Sequence, residues 1–166
     1  MQHGAWWTGA GQGARPGPMP RTMTGGCQCG SVRYSVEVTD DDAYLCHCRM
    51  CQRATGGVFA ALKQVPREAV RWTTREPDRR ASSEIARRGF CAACGTPLTY
   101  EGNGSDQLDL TVGSFDDPGS LRPVGHFGVE SRHAAWRDTR TLPDKRTDEL
   151  PNIVSKWMEK RGKLPD

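Results

Sequence analysis

The chain has 166 residues, the length of one domain with a modest core. Hydrophobic residues make up 36% and mean hydropathy is -0.68, and no run of about 18 apolar residues occurs, so a membrane-spanning helix is excluded. A net charge of +3 is too small to point to nucleic acid, and the 19 glycines and 11 prolines favour short strands and turns over long helices.

In chain order, residues 1–23 read as a disordered leader, rich in Gly, Ala and Pro and without periodicity. Met19 or Met23 is a candidate true start, and Trp6 and Trp7 stand out within it. Gly25-Gly26-Cys27-Gln28-Cys29-Gly30 is a tight turn presenting two sulfurs. Val32, Tyr34, Val36 and Val38 alternate with polar residues and predict a half-buried strand. Asp40-Asp41-Asp42 reads as a solvated turn, since it lacks the spacing of a calcium loop. Cys46-His47-Cys48-Arg49-Met50-Cys51 follows. Strands are predicted over 58–62, 69–73 and 83–87, and Cys91-Ala92-Ala93-Cys94 is a second knuckle feeding a strand through Tyr100. Residues 107–113 alternate again, and 122–130 reads as an edge segment because of Pro123. Residues 131–151 read as loop. A short helix is predicted near the end, where Ile153, Val154, Trp157 and Met158 share a face and Asn152 is a candidate N-cap. The expectation is a turn-rich, all-β domain over residues 24–143, with a 144–166 extension carrying one short helix.

Charge is uneven. Residues 49–90 hold ten Lys/Arg against four acids, +6, which leaves −3 for the rest. Such a segment suits a small anionic substrate, and a solvated polar face is the plainer reading.

All seven cysteines fall in three clusters. The odd count and the lack of an apolar secretory segment argue against disulfides and for reduced thiols in a cytoplasmic setting. Thiolates favour zinc, and C-x-C and C-x-x-C spacings aim two sulfurs at one ion. Cys27/Cys29 with Cys91/Cys94 closes a tetrahedral structural site. Cys46, Cys48 and Cys51 then hold a second ion with one position open, the layout of a catalytic zinc. A rival partition joins Cys46/Cys48 to Cys91/Cys94 and leaves Cys27, Cys29 and Cys51, a less compact triad. His47, or a remote His126 or His133, would instead close the second site and make it structural. An open three-thiolate zinc would take an incoming thiol as thiolate for attack on a carbonyl.

The motifs Gly25–Tyr34, Cys46–Gly56 and Phe90–Leu98, with the tail from His126 through Trp136, Asp138 and Leu142-Pro143, resemble the GFA family, the glutathione-dependent formaldehyde-activating enzymes. The resemblance implies a β-tent (Mss-four-like) fold. It implies a structural zinc at Cys27, Cys29, Cys91 and Cys94, and a labile catalytic zinc at Cys46, Cys48 and Cys51. Its reaction would be condensation of formaldehyde with glutathione, a carbon–sulfur lyase chemistry, with a small-molecule thiol and aldehyde as partners.

Supporting residues follow from position. Arg53 could pair with a glutathione carboxylate, and Gly56 and Gly57 could let backbone amides approach an anion. Thr55 either donates to a thiolate or caps the turn. Trp136 is a candidate lid, and His126 and His133 are candidate proton shuttles. Phe59, Tyr34 and Trp72 read as core. Two rival functions stand beside the enzyme: a non-catalytic zinc module binding a macromolecule through its basic face, and a thiol redox protein using Cys91/Cys94 or Cys48/Cys51.

Overall fold

The computed structural model describes residues 20–164. Most of the expected leader therefore lies outside the described residues, Trp6 and Trp7 included. Its last residues do not belong to a leader: β1 runs Arg21–Gly26 and buries Met23. The chain divides into two units, one ending at Arg132 and one spanning His133–Asp166.

The first unit holds two sheets. β1, β2 (Arg33–Val38) and β5 (Val70–Trp72) form an antiparallel three-stranded sheet in the order β1-β2-β5. β2 follows its alternation, with Tyr34, Val36 and Val38 inward and Glu37 outward. β1 carries only one large apolar residue, which is why periodicity did not signal it. Gly25 is required there: a Cβ would stand 2.3 Å from the Tyr34 hydroxyl.

The second sheet contains β3 (Asp42–Cys46), β4 (Ala60–Pro66), β6 (Asp78–Ser83), β7 (Ala86–Phe90), β8 (Pro97–Gly102), β9 (Gln107–Thr111) and β10 (Arg122–Phe127). Its order is β10-β3-β4-β9-β8-β7-β6. β10 lies at the edge, parallel to β3, with a register shift between Pro123 and Gly125, as a proline-bearing strand requires. The predicted strand over 83–87 is in fact a hairpin turn, because β6 ends at Ser83 and β7 begins at Ala86, leaving Ile85 exposed. The strand expected at 58–62 starts at Ala60. Phe59, expected in the core, is 38% exposed and sets its ring edge-on to His47.

Val65, Leu108 and Leu110 pack with Tyr34, Val36, Phe115 and Leu98 in the main core. Each fully buried aliphatic side chain contributes about 2 kcal/mol. A smaller cluster of Cys51, Ala60 and Leu62, with Tyr44, Cys46 and Cys48 against it, lies on the opposite face of β4. A helix not foreseen from the sequence, α1 (Arg49–Thr55), begins at that cluster.

The second unit carries α2 (Pro151–Arg161). Its N-cap is Leu150, with Pro151 in the first turn, so Asn152 sits inside the helix rather than capping it. Ile153, Val154 and Trp157 are half-buried, whereas Met158 is exposed. No helix of the described residues is long and apolar enough to cross a membrane.

Candidate metal centres

Two groups of thiols converge. Cys27 and Cys29 sit in the β1–β2 loop, and Cys91 and Cys94 in the β7–β8 loop. Their sulfurs all lie within 4.8 Å of one another, with Cys27 to Cys29 at 3.5 Å and Cys29 to Cys91 at 3.8 Å. Zinc–thiolate bonds of about 2.3 Å in tetrahedral geometry place sulfurs about 3.8 Å apart. The donor set therefore fits a closed four-thiolate ion. Hydrogen bonds shape the knuckles: Val32 N–H donates to Cys27 Sγ at 3.2 Å, and Cys94 Sγ and Thr96 Oγ1 lie 3.2 Å apart. Thr96 holds the Cys94 thiol below its ordinary range, and Ser31 does the same for Cys29. This cluster links the three-stranded sheet to the seven-stranded one.

Cys46, Cys48 and Cys51 form the second group, also within 4.8 Å, with Cys46 to Cys48 at 3.4 Å. β3 delivers Cys46. Cys48 is the N-cap of α1, its sulfur accepting from Cys51 N–H at 3.4 Å. Gly128 closes over it: a Cβ there would stand 2.7 Å from Cys48 N, and its φ of +62° is left-handed. Among the described residues, no histidine or carboxylate joins either group. His47 is buried on other business, its Nε2 3.0 Å from His126 Nδ1 and its carbonyl accepting from Gln52 Nε2 at 2.7 Å.

Arg88 was not singled out from the sequence as a site residue. It lies on β7 and donates from Nη2 to Cys51 Sγ at 3.1 Å. Nε donates to Ser82 Oγ at 2.9 Å, and the guanidinium lies 5.0 Å from the Tyr100 ring centre. A hydrogen bond from Cys46, then the Arg88 contact, holds the Cys51 thiol well below its ordinary range against the opposing effect of burial. Cys46 is pushed up in exchange, by its bond to Cys51 and by burial.

Strand register extends this wall. Arg88 stands opposite Tyr100, Tyr100 opposite Asp109, and Asp109 opposite Gln64. Tyr44 donates its hydroxyl to Asp109 Oδ1 at 2.9 Å. Burial is the main cause that lifts Asp109 to about 6. The sign is that of a carboxyl raised in the fold. Between the unfolded value of 3.8 and about 6, the native state binds the extra proton, so stability is lost as pH rises through that window. Two pK units correspond to about 3 kcal/mol. Asp109→Asn removes this slope. Its urea midpoint, set against wild type at pH 4.5 and pH 8, gains relative stability at the higher pH. Parallel pH dependence of the two proteins would contradict the assignment.

The other sequence candidates are dispersed. Arg53 is exposed on α1. Gly56 ends α1 in a left-handed conformation, its N–H donating to Gln52 O at 2.9 Å, which accounts for the glycine. Gly57 follows, exposed, with Phe59 O 2.9 Å from where a Cβ would sit. Thr55 donates to Cys51 O at 3.0 Å rather than to a sulfur. Trp136 is 59% exposed and lies, with His133, in the second unit.

A crystal structure of a Rhodobacter sphaeroides protein aligns with 63% of this chain and 99% of its own, at 23% identity and a TM-score of 0.52, a likeness of fold alone. No curated protein matches the sequence. The profile described as glutathione-dependent formaldehyde-activating enzyme matches residues 22–131, a span holding both thiol clusters. This chain therefore belongs to the GFA family, the glutathione-dependent formaldehyde-activating enzymes.

Proposed function

We propose that the protein condenses a small aldehyde, formaldehyde or a relative, with glutathione or a similar thiol at the Cys46/Cys48/Cys51 centre. It would act as a carbon–sulfur lyase of the S-(hydroxymethyl)glutathione synthase type. The observation that carries this reading is the contrast between the two clusters: one supplies four thiols, the other three, with no fourth protein donor among the described residues. A zinc ion held by Cys46, Cys48 and Cys51 would offer an open position where a thiol is kept as thiolate at neutral pH.

The chain's own residues do the rest. Cys48 and Cys51 are set by the first turn of α1, and Gly128 admits the backbone that closes over Cys48. Arg88 offsets negative charge at Cys51 and fixes its sulfur. In the reaction the thiol gives up its proton, a C–S bond forms to the carbonyl carbon, and the carbonyl oxygen is protonated. Arg53, beside the centre in sequence and exposed on α1, is our candidate for a glutathione carboxylate, with the Gly57 amide near the same helix end. Seven free thiols fit a reducing, cytoplasmic setting.

The test is the rate of hemithioacetal formation by protein carrying two zinc ions. A rate above the uncatalysed one that disappears on chelation supports the proposal. No rate above background and no thiol binding would end it.

A further inference from the structure

β6 and β7 pair so that Arg80 stands directly opposite Arg88. Like charges facing each other across strands repel. Burying one of them adds a desolvation cost, and Arg88 is only 6% exposed. Arg67 and Arg79 pair with Glu101, Arg75 with Asp78, and Lys63 with Asp40. Among the described residues, no carboxylate pairs with Arg80 or Arg88.

Arg80 and Arg88 line a cavity of about 140 Å³, whose other walls include Thr55 of α1, Phe90, Pro97 and Thr111. Charge accounting around it is simple. Three thiolates on one zinc carry −1, and Arg88, bonded to Cys51, balances that. Arg80, exposed on β6, has no ion-pair partner among the described residues. A space of this size admits a carboxylate and the few atoms next to it.

We propose that this cavity seats a single carboxylate of a substrate, held by Arg80 and Arg88 beside the three-thiol centre. The inference deepens the thiol–aldehyde reading, and rests on it only for which substrate owns the carboxylate. An α-oxo acid aldehyde such as glyoxylate would bring it on the electrophile, whereas glutathione would bring it on the thiol.

The probe is acetate, which carries neither thiol nor carbonyl, so its binding stands or falls apart from any catalysis. Titrated calorimetrically into zinc-loaded full-length protein at low ionic strength, acetate is expected to saturate one site. Arg80→Gln weakens it at least tenfold while both zinc ions stay bound, and Arg80→Lys restores most of the affinity. Because Arg80 is exposed, its replacement spares the core. Equal acetate affinity in wild type and Arg80→Gln, or binding abolished by chelation but unchanged in Arg80→Gln, would overturn the proposal. Two further arms assign the owner. A preference for glyoxylate over formaldehyde that Arg80→Gln removes gives the carboxylate to the aldehyde. A loss of glutathione affinity in Arg80→Gln, with 2-mercaptoethanol unaffected, gives it to the thiol. If neither preference changes, the cavity is not a substrate subsite and the proposal fails.

Discussion

Cys91→Ser is expected to lose the four-thiol zinc and, with it, the cooperatively folded domain. Cys91 is fully buried, and its sulfur lies 3.8 Å from that of Cys29, which comes from the β1–β2 loop. The four-thiol cluster thus ties the three-stranded sheet to the long one at the point where the two knuckles meet. Structural zinc in small domains is worth about 10–16 kcal/mol of apparent folding free energy. A domain of this size has a net stability of about 5–15 kcal/mol. Losing one ligand of a closed site therefore removes a term as large as the whole margin. Metal analysis and thermal unfolding monitored by circular dichroism check this. A Cys91→Ser protein that melts cooperatively near the wild-type temperature would show that the core alone holds the sheets together.

Cys48→Ser is expected to do the opposite: keep the fold and lose the chemistry. Cys48 is half-buried at the N-cap of α1, where a serine oxygen can still accept the Cys51 N–H. The helix start therefore survives. A metal held by the three thiols would lose one ligand, and its affinity would fall. Changes one step removed from a metal cost about 10–100-fold in affinity or activity, so removing a direct ligand costs on the order of a hundredfold or more. Cys51→Ser is a less clean test, because it would strip Arg88 of its thiolate partner in a buried place. The expected outcome for Cys48→Ser is one retained zinc, a wild-type melting temperature and loss of aldehyde–thiol condensation. Full activity with a single zinc would remove the three-thiol centre from the mechanism.

The grouping of thiols could be read before any coordinates because ligand spacing is local chemistry. A C-x-C turn points two sulfurs one way whatever the fold around it. β2 and β9 were visible for a similar reason, since Tyr34, Val36 and Val38, and Leu108 and Leu110, repeat with the period of a strand. α1 was not visible. It buries only Cys51 and Gln52, and its cap is a thiol rather than the usual hydroxyl or carboxylate, so neither periodicity nor capping announced it. Arg88 and Asp109 were hidden more deeply. Their meeting depends on the register that sets residues 88, 100 and 109 side by side across three strands. The one local sign was an acid between two leucines in β9, Leu108-Asp109-Leu110, where an apolar strand carries a charge. The hairpin at Glu84-Ile85 was concealed by Ile85, a β-favouring residue that sits exposed in the turn itself.

Zinc K-edge absorption of the wild-type protein, with and without glutathione at neutral pH, bears most directly on the three-thiol centre. With four thiols at one ion and three at the other, the average is about three and a half sulfurs per zinc, with a light atom in the fourth position of the second ion. Glutathione should raise that average to about four as its sulfur takes the open position. Four sulfurs per zinc without glutathione, or a spectrum indifferent to it, would make Cys46, Cys48 and Cys51 part of a closed structural site and contradict the proposed chemistry.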